Sequence, residues 1–391
     1  MKKVSLFVDF SFFVIFLLSA GVCRVSAVSL YHGPYLQNVG ECEATVVWVS
    51  DVPTVGWVEL APDDGTNFYA TARERIYDTA DGVKQVTGIH AVKLTGLQPG
   101  TTYRYRVYVQ EVKGRSGVMV YYGDLAATEV YHRAPLKFTT NDRRKEEMSF
   151  VMLNDVHERP KMIAPLLEAA SYKDRDLIIY NGDMVSELRH DSTLFQGFMD
   201  ESIRLFAQEK PWYYVRGNHE TRGVASALFH RYFCPCEPHL YYTFRQGPVM
   251  FVALDCGEDK PDTDIAYSGI VDYDNYRSRQ AEWLRGVVQG SEWREAPVRV
   301  VICHVPPSDA PRAWHGEREI QQKFLPVLNG AGVSLMLCGH MHAYSFHAPD
   351  ARHDFPILVN SSEDCVLVET EQGRLKATVI TQDGKRKTVM P

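Results

Sequence analysis

The sequence predicts two unlike parts, an all-β N-terminal sandwich followed by an α/β C-terminal domain. Short β-branched and aromatic runs separated by turn residues fill residues 28 to about 140. Beyond them, apolar strand-like runs alternate with helix-like stretches, the α/β pattern. Five of these later runs end in residue types that bind metal.

The first residues stand apart from both. Lys2 and Lys3 give a positive start, and Phe10 to Val22 is an apolar stretch too short to span a bilayer comfortably. Val25-Ser26-Ala27 offers a small-residue cleavage site, so residues 1–27 read as a secretory signal peptide and the mature chain is expected to be exported, periplasmic or secreted. An uncleaved anchor and a lipid-anchored Cys23 are the rival readings, with Val22 standing where a lipobox has a small residue. No later segment resembles a membrane span. Loss of residues 1–27 removes Lys2, Lys3, Arg24 and Asp9 and takes the formal charge from −7 to −9. No basic run or basic-aromatic stripe occurs, so nucleic-acid binding lacks its electrostatic footprint. At 391 residues, 45% hydrophobic and 23% charged, the chain has material for two ordinary cores.

Within residues 28–140, strands are predicted over Ala44–Ser50, Val55–Leu60, His90–Leu97 and Tyr103–Val109. In the last, Tyr103, Tyr105, Val107 and Val109 share one face at period two, as a half-buried strand requires. Leu97–Tyr103, "LQPGTTY", resembles the turn and tyrosine corner of a fibronectin type III-like sandwich, with Trp48 as core aromatic. This part is read as a structural module without chemistry. Thr139–Glu147, charged and without apolar periodicity, marks the linker into residues 141–391.

In the C-terminal part the strand-like runs are "FVMLN", "LIIYN", "WYYV", "MFVAL", "VRVVIC" and "VSLMLC", with helices predicted over Met162–Ala170 and Ser278–Val288. Eight cysteines become seven after cleavage, so at least one is unpaired. Cys303 and Cys338 lie in apolar runs and read as small buried hydrophobes. Cys234-Pro235-Cys236 lacks a matching second pair, which argues against a zinc knuckle.

The strand ends carry the chemistry. "LNDVHE" supplies Asp155 and His157, "NGD" Asp183, "RGNHE" Asn218 and His219, "ICH" His304, and "GHMH" His340 and His342. Ligands of α/β sheets gather beyond the carboxyl ends of strands, so these distant residues can converge. Asp155/His157 and His340/His342 are two apart, and in extended chain each pair points the same way.

The order D-x-H, G-D, G-N-H-E, H, G-H-x-H resembles that of calcineurin-like metallophosphoesterases over Ser149–Val379, and with the sandwich in front the chain is similar to their purple-acid-phosphatase-like branch. The resemblance implies an αββα four-layer sandwich and two divalent or trivalent metal ions. One would take Asp155, His157, Asp183 and His342. The other would take Asp183, Asn218, His304 and His340, with Asp183 bridging. Ligands that are oxygen and nitrogen without thiolate suit Fe, Mn or Zn. Attack of a metal-bound hydroxide on a small-molecule phosphate monoester, with His219 as general acid, is the implied reaction. Glu220 could orient the His219 ring or face solvent.

Purple members carry a metal-binding tyrosine three residues after the G-D aspartate; here Ser186 stands there, and His157 fills the vacancy, which predicts a colourless enzyme. Arg312 and His315 are candidate substrate contacts in a loop whose spacing departs from the family's, and His347 and His353 read as loop residues. A phosphodiesterase or nucleotide hydrolase would use the same ligands. A non-enzymatic surface-binding module would be expected to have lost some of them, yet every position is filled.

Overall fold

A computed structural model describes residues 27–234 and 237–390. The signal-peptide reading therefore falls outside the described residues except for Ala27, as do Pro235 and Cys236 of the Cys-Pro-Cys sequence. Six cysteines lie within them, and all six are free thiols.

The N-terminal part is built on β1 (Leu30–Gln37), β2 (Glu43–Pro62), β3 (Arg75–Tyr77), a small pair β4 (Thr79–Ala80) and β5 (Val83–Lys84), then β6 (Thr87–Thr95), β7 (Thr102–Ser116), β8 (Met119–Ala127) and β9 (Leu136–Thr139). The two strands expected at 44–50 and 55–60 are one strand, β2. Its first half pairs with β1 and β6 and its second half with β7 and β3. Asp51-Val52-Pro53 reads as a turn. However, Ser50 Oγ donates to the Val52 carbonyl at 2.8 Å and lies 3.0 Å from Thr54 Oγ1, which makes this a bend within one extended run. A strand that changes layers at a bend is how a sandwich turns its corner. Trp48, Tyr105, Val107 and Val109 are buried in the core between the layers. The tyrosine corner is present, with the Gln98 N–H donating to the Tyr103 hydroxyl at 2.9 Å.

The expected linker is tied down. Thr140 and Asn141 are buried, and Asn141 Nδ2 donates to the Tyr213 hydroxyl at 2.8 Å and to the Arg245 carbonyl at 3.1 Å.

Two six-stranded sheets form the rest. One orders β12 (Trp212–Val215), β11 (Leu177–Asn181), β10 (Ser149–Leu153), β19 (Asp364–Glu371), β20 (Arg374–Thr381) and β21 (Arg386–Met390). The other orders β13 (Tyr242–Gln246), β14 (Val249–Leu254), β15 (Val298–Cys303), β16 (Leu335–Cys338), β18 (Ile357–Val359) and β17 (Ser345–His347). All six apolar runs of the sequence are among these strands. Strands buried on both faces read as unbroken apolar runs, and here the six runs form parallel ladders, β10–β11–β12 in one sheet and β14–β15–β16 in the other. Phe150, Met152 and Ile179 of one sheet pack against Phe251, Val300 and Leu337 of the other. The outer faces are covered by helices, Ile163–Ala169 on one side and Tyr273–Gln289 on the other. That is the αββα sandwich.

Candidate metal centre

Each strand that carries a candidate ligand stops one to three residues short of it. β10 and β11 end at Leu153 and Asn181, ahead of Asp155 and Asp183, and β12 ends at Val215, ahead of Asn218. In the facing sheet β15 ends at Cys303, ahead of His304, and β16 at Cys338, ahead of His340. The parallel strand directions make these ends open on one crevice.

Of the two pairs of residues two apart, Asp155 and His157 meet, with His157 Nε2 3.8 Å from Asp155 Oδ1, whereas His340 and His342 diverge. Asp155, His157, Asp183, His340 and His342 all adopt left-handed backbone, with φ between 45° and 70°. A non-glycine residue in that region costs about 1–3 kcal/mol, and such strain concentrates at functional sites. The turns separate His340 from His342. His342 Nε2 lies 3.2 Å from Asp155 Oδ1 and 3.1 Å from His157 Nε2, whereas His340 Nδ1 lies 3.1 Å from Asn218 Oδ1. Two groups result, Asp155–His157–His342 and Asp183–His304–His340, each close enough to hold one ion. His304 Nε2 sits between them, 3.0 Å from Asp183 Oδ2 and 3.8 Å from Asp155 Oδ1.

The atoms that face one another lack protons to share. One oxygen of each aspartate is pinned: Asp155 Oδ2 accepts from Asn154 Nδ2 at 2.6 Å and from the His340 N–H at 2.9 Å, and Asp183 Oδ1 accepts from the His219 N–H at 2.9 Å. The other oxygens, Asp155 Oδ1 and Asp183 Oδ2, are buried with no hydrogen-bond partner among the described residues, and so is His304 Nε2. His304 Nδ1 donates to the Asn181 carbonyl at 2.6 Å, which leaves the ring's lone pair on Nε2, aimed at the bare oxygens. Buried lone pairs held against one another call for a cation between them. The pKa shifts carry the same demand. Burial opposes charge on His304, yet Asp183 and Asp155 push its pKa up to about 10. His340, buried and beside His304, is pushed down to about 4. Burial works to raise Asp155 and Asp183, but His304 and the other imidazoles hold both below the ordinary carboxylate range.

Glu220 neither touches the His219 ring nor faces solvent. It is fully buried and accepts backbone N–H bonds from Asp183 and Gly217 at 2.9 Å, Met184 at 2.8 Å and Val185 at 3.2 Å. Its carboxylate thus locks the loop carrying Asp183 to the loop carrying Asn218. Gly217 is required by proximity rather than by its φ, because a Cβ there would stand 2.3 Å from Asp183 Oδ1.

His219 Nδ1 donates to the Ser186 carbonyl at 2.7 Å, and Nε2 lies 3.8 Å from Asp183 Oδ2. Burial, with Arg222 and His157 adding to it, holds this imidazole below its ordinary pKa against the pull of Asp183. Ser186 Oγ donates to Glu158 Oε2 at 2.7 Å and stands 3.5 Å from His157 Nδ1.

The other candidates lie apart from the ligand set. His315 opens the helix His315–Lys323 and its Nε2 is 2.7 Å from Asp274 Oδ1. Arg312 is exposed and forms no ion pair among the described residues. His347 closes β17 rather than lying in a loop, and His353 is buried, bonded through Nδ1 to the Phe355 carbonyl at 2.7 Å. Sequence reasoning missed Arg222, which lies against the His219 ring, Glu258 and Asp259, which hold Arg222, and Glu317, whose Oε1 lies 3.9 Å from His340 Nε2. Glu258 and Asp259 stand four and five residues past the end of β14, farther than the first ligand after any other strand, so the strand-end pattern does not single them out.

Two facing sheets with a metal-binding crevice at their strand ends are the architecture of metal-dependent phosphoesterases. The chain belongs to the calcineurin-like phosphoesterases, whose family model matches residues 148–344, and the purple acid phosphatase N-terminal domain matches residues 33–122. Purple acid phosphatase 18 of Arabidopsis thaliana is 27% identical over 37% of this chain and 32% of its own length. Acid phosphatase type 7 of Danio rerio is 24% identical over 82% of this chain and 71% of its own. The chain spans less than two thirds of the length of the first curated relatives it matches. A purple acid phosphatase from yellow lupin (Lupinus luteus) seeds shares the fold, with a TM-score of 0.65 at 13% identity, covering 93% of this chain and 73% of that one.

Proposed function

We propose that this protein is an exported metal-dependent phosphatase that hydrolyses phosphate monoesters at a dinuclear centre. The observation that carries the reading is the buried trio of Asp155 Oδ1, Asp183 Oδ2 and His304 Nε2, with Nε2 3.8 and 3.0 Å from the two oxygens and none of the three hydrogen-bonded among the described residues. Asp155, His157, Asp183 and His342 would hold one ion. Asp183, Asn218, His304 and His340 would hold the other. Two such ions supply Lewis acidity at phosphorus and lower the pKa of a water.

The chain's own residues do the rest. Ser186 fixes the His219 ring through Nδ1, which leaves Nε2 toward the crevice to carry a proton to the leaving alkoxide. Glu158 and Ser186 steady His157, and Glu317 stands behind His340, the outer-shell contacts that orient ligand imidazoles. Export is supported by the apolar stretch Phe10 to Val22 followed by Val25-Ser26-Ala27. With Ser186 in place of a tyrosine, the iron-loaded protein should show no iron-tyrosinate absorption band.

The reading is tested by turnover of p-nitrophenyl phosphate against bis(p-nitrophenyl) phosphate. Preference for the monoester is expected, and His219→Ala should lower turnover about 10²–10⁴-fold with its metal retained. Preference for the diester would replace the monoesterase reading with a phosphodiesterase one, and no turnover of either would remove both.

A further inference from the structure

Arg222 stands three residues after His219 and belongs to no ligand set. Its guanidinium is gripped along one edge. Nε and Nη2 donate to Glu258 Oε2 and Oε1, both at 2.8 Å, and Nη2 also reaches Asp259 Oδ1 at 3.2 Å. Glu258 and Asp259 are buried, and the Arg222 carbonyl accepts from the Leu188 N–H at 2.9 Å, so the fork is fixed at both its root and its tip.

Nη1 is the one nitrogen left over. It bonds to no carboxylate or carbonyl among the described residues, and its neighbours are the His219 ring nitrogens, Nε2 at 3.0 Å and Nδ1 at 3.2 Å. The near-equal distances place Nη1 over the face of the imidazole, not in line with a ring lone pair, while Nδ1 donates in the ring plane to the Ser186 carbonyl. His219 Nε2 is 3.8 Å from the bare oxygen of Asp183. A rigid donor therefore stands one imidazole away from the crevice, on a side chain that is 23% exposed.

We propose that Arg222 is a substrate-binding, specificity-determining residue whose Nη1 takes a terminal phosphate oxygen, with Glu258 and Asp259 holding it in place. This rests on the phosphatase reading above. Phosphate offers Nη1 the charged oxygen acceptor that the described residues do not, while His219 keeps its bond to the Ser186 carbonyl. A monoester presents three terminal oxygens and a diester two, so a fixed donor beside the metal ligands is filled by the first and left short by the second. Arg222 thus selects monoesters.

The test uses the metal-loaded full chain as wild type, Arg222→Ala and Arg222→Lys, with inorganic phosphate binding measured by calorimetry and kcat/KM measured for both p-nitrophenyl esters. A lost hydrogen bond to a charged group predicts phosphate affinity about tenfold or more weaker in Arg222→Ala, with metal content unchanged. The monoester-to-diester ratio of kcat/KM should fall by a similar factor, mostly through the monoester KM. Arg222→Lys should fall between the two, and it is read alone if the alanine variant does not fold. Unchanged phosphate affinity, or an equal fall in kcat for both esters at constant KM, would reduce Arg222 to a prop for His219. If the wild type turns over neither ester, the phosphatase reading falls and phosphate affinity alone decides for Arg222.

Discussion

Glu220 serves the crevice as a cap serves a helix end, gathering four backbone N–H groups from two loops onto one carboxylate. Burial and the neighbouring Asp183 push its pKa up, and Tyr214, His304 and the Asp183 N–H act against them. Glu220→Gln keeps the shape but turns an amide NH₂ toward backbone N–H groups. We expect a loss of roughly 2–4 kcal/mol in urea unfolding, together with weaker metal binding. An unchanged midpoint and slope would mean the carboxylate is dispensable. The residue types at the site were legible because metal chemistry admits few side chains, and they stood at strand ends in a specific order. The role of Glu220 was not, since three of its four donors lie at least 35 residues away and only the folded loops bring them together.

Elements joined across the two sheets give the crevice its rigidity. Arg216, just past β12 in one sheet, pairs with Asp255, just past β14 in the other, at 2.8 Å, with Asp255 fully buried. The Tyr276 hydroxyl donates to the same carboxylate at 2.8 Å, and Gln280 brackets the Asp255 backbone, so the helix Tyr273–Gln289 joins the clasp. Removing one partner leaves a buried charge uncompensated, and Asp255→Ala is predicted to destabilise the fold by about 3–5 kcal/mol in chemical denaturation. A loss below about 1 kcal/mol, the worth of a surface pair, would contradict that. The strands of both sheets could be read from sequence because burial on two faces leaves an apolar run. β2 was read as two strands because Asp51-Val52-Pro53 has the composition of a turn. Charge marked the linker but gave no sign of the anchoring of Asn141.

Across the whole molecule the sandwich is welded to the αββα part. Tyr35, Val47 and Val49 share a core with Leu153, Ile178 and Trp212. Hydroxyls cross the junction as well: Tyr35 donates to the Tyr232 carbonyl at 2.9 Å and Tyr105 to the Gln208 carbonyl at 2.6 Å. A shared core implies shared cooperativity, so calorimetry should record a single unfolding transition. Two separated transitions would show that the parts unfold independently. The crevice that this body supports is proposed to hold two ions that share Asp183. Metal content of the saturated, desalted protein tests it most directly. The account predicts two equivalents per chain in the wild type, and their loss together with hydrolysis in Asp183→Ala. A single equivalent in the wild type, or two retained in the variant, would contradict it.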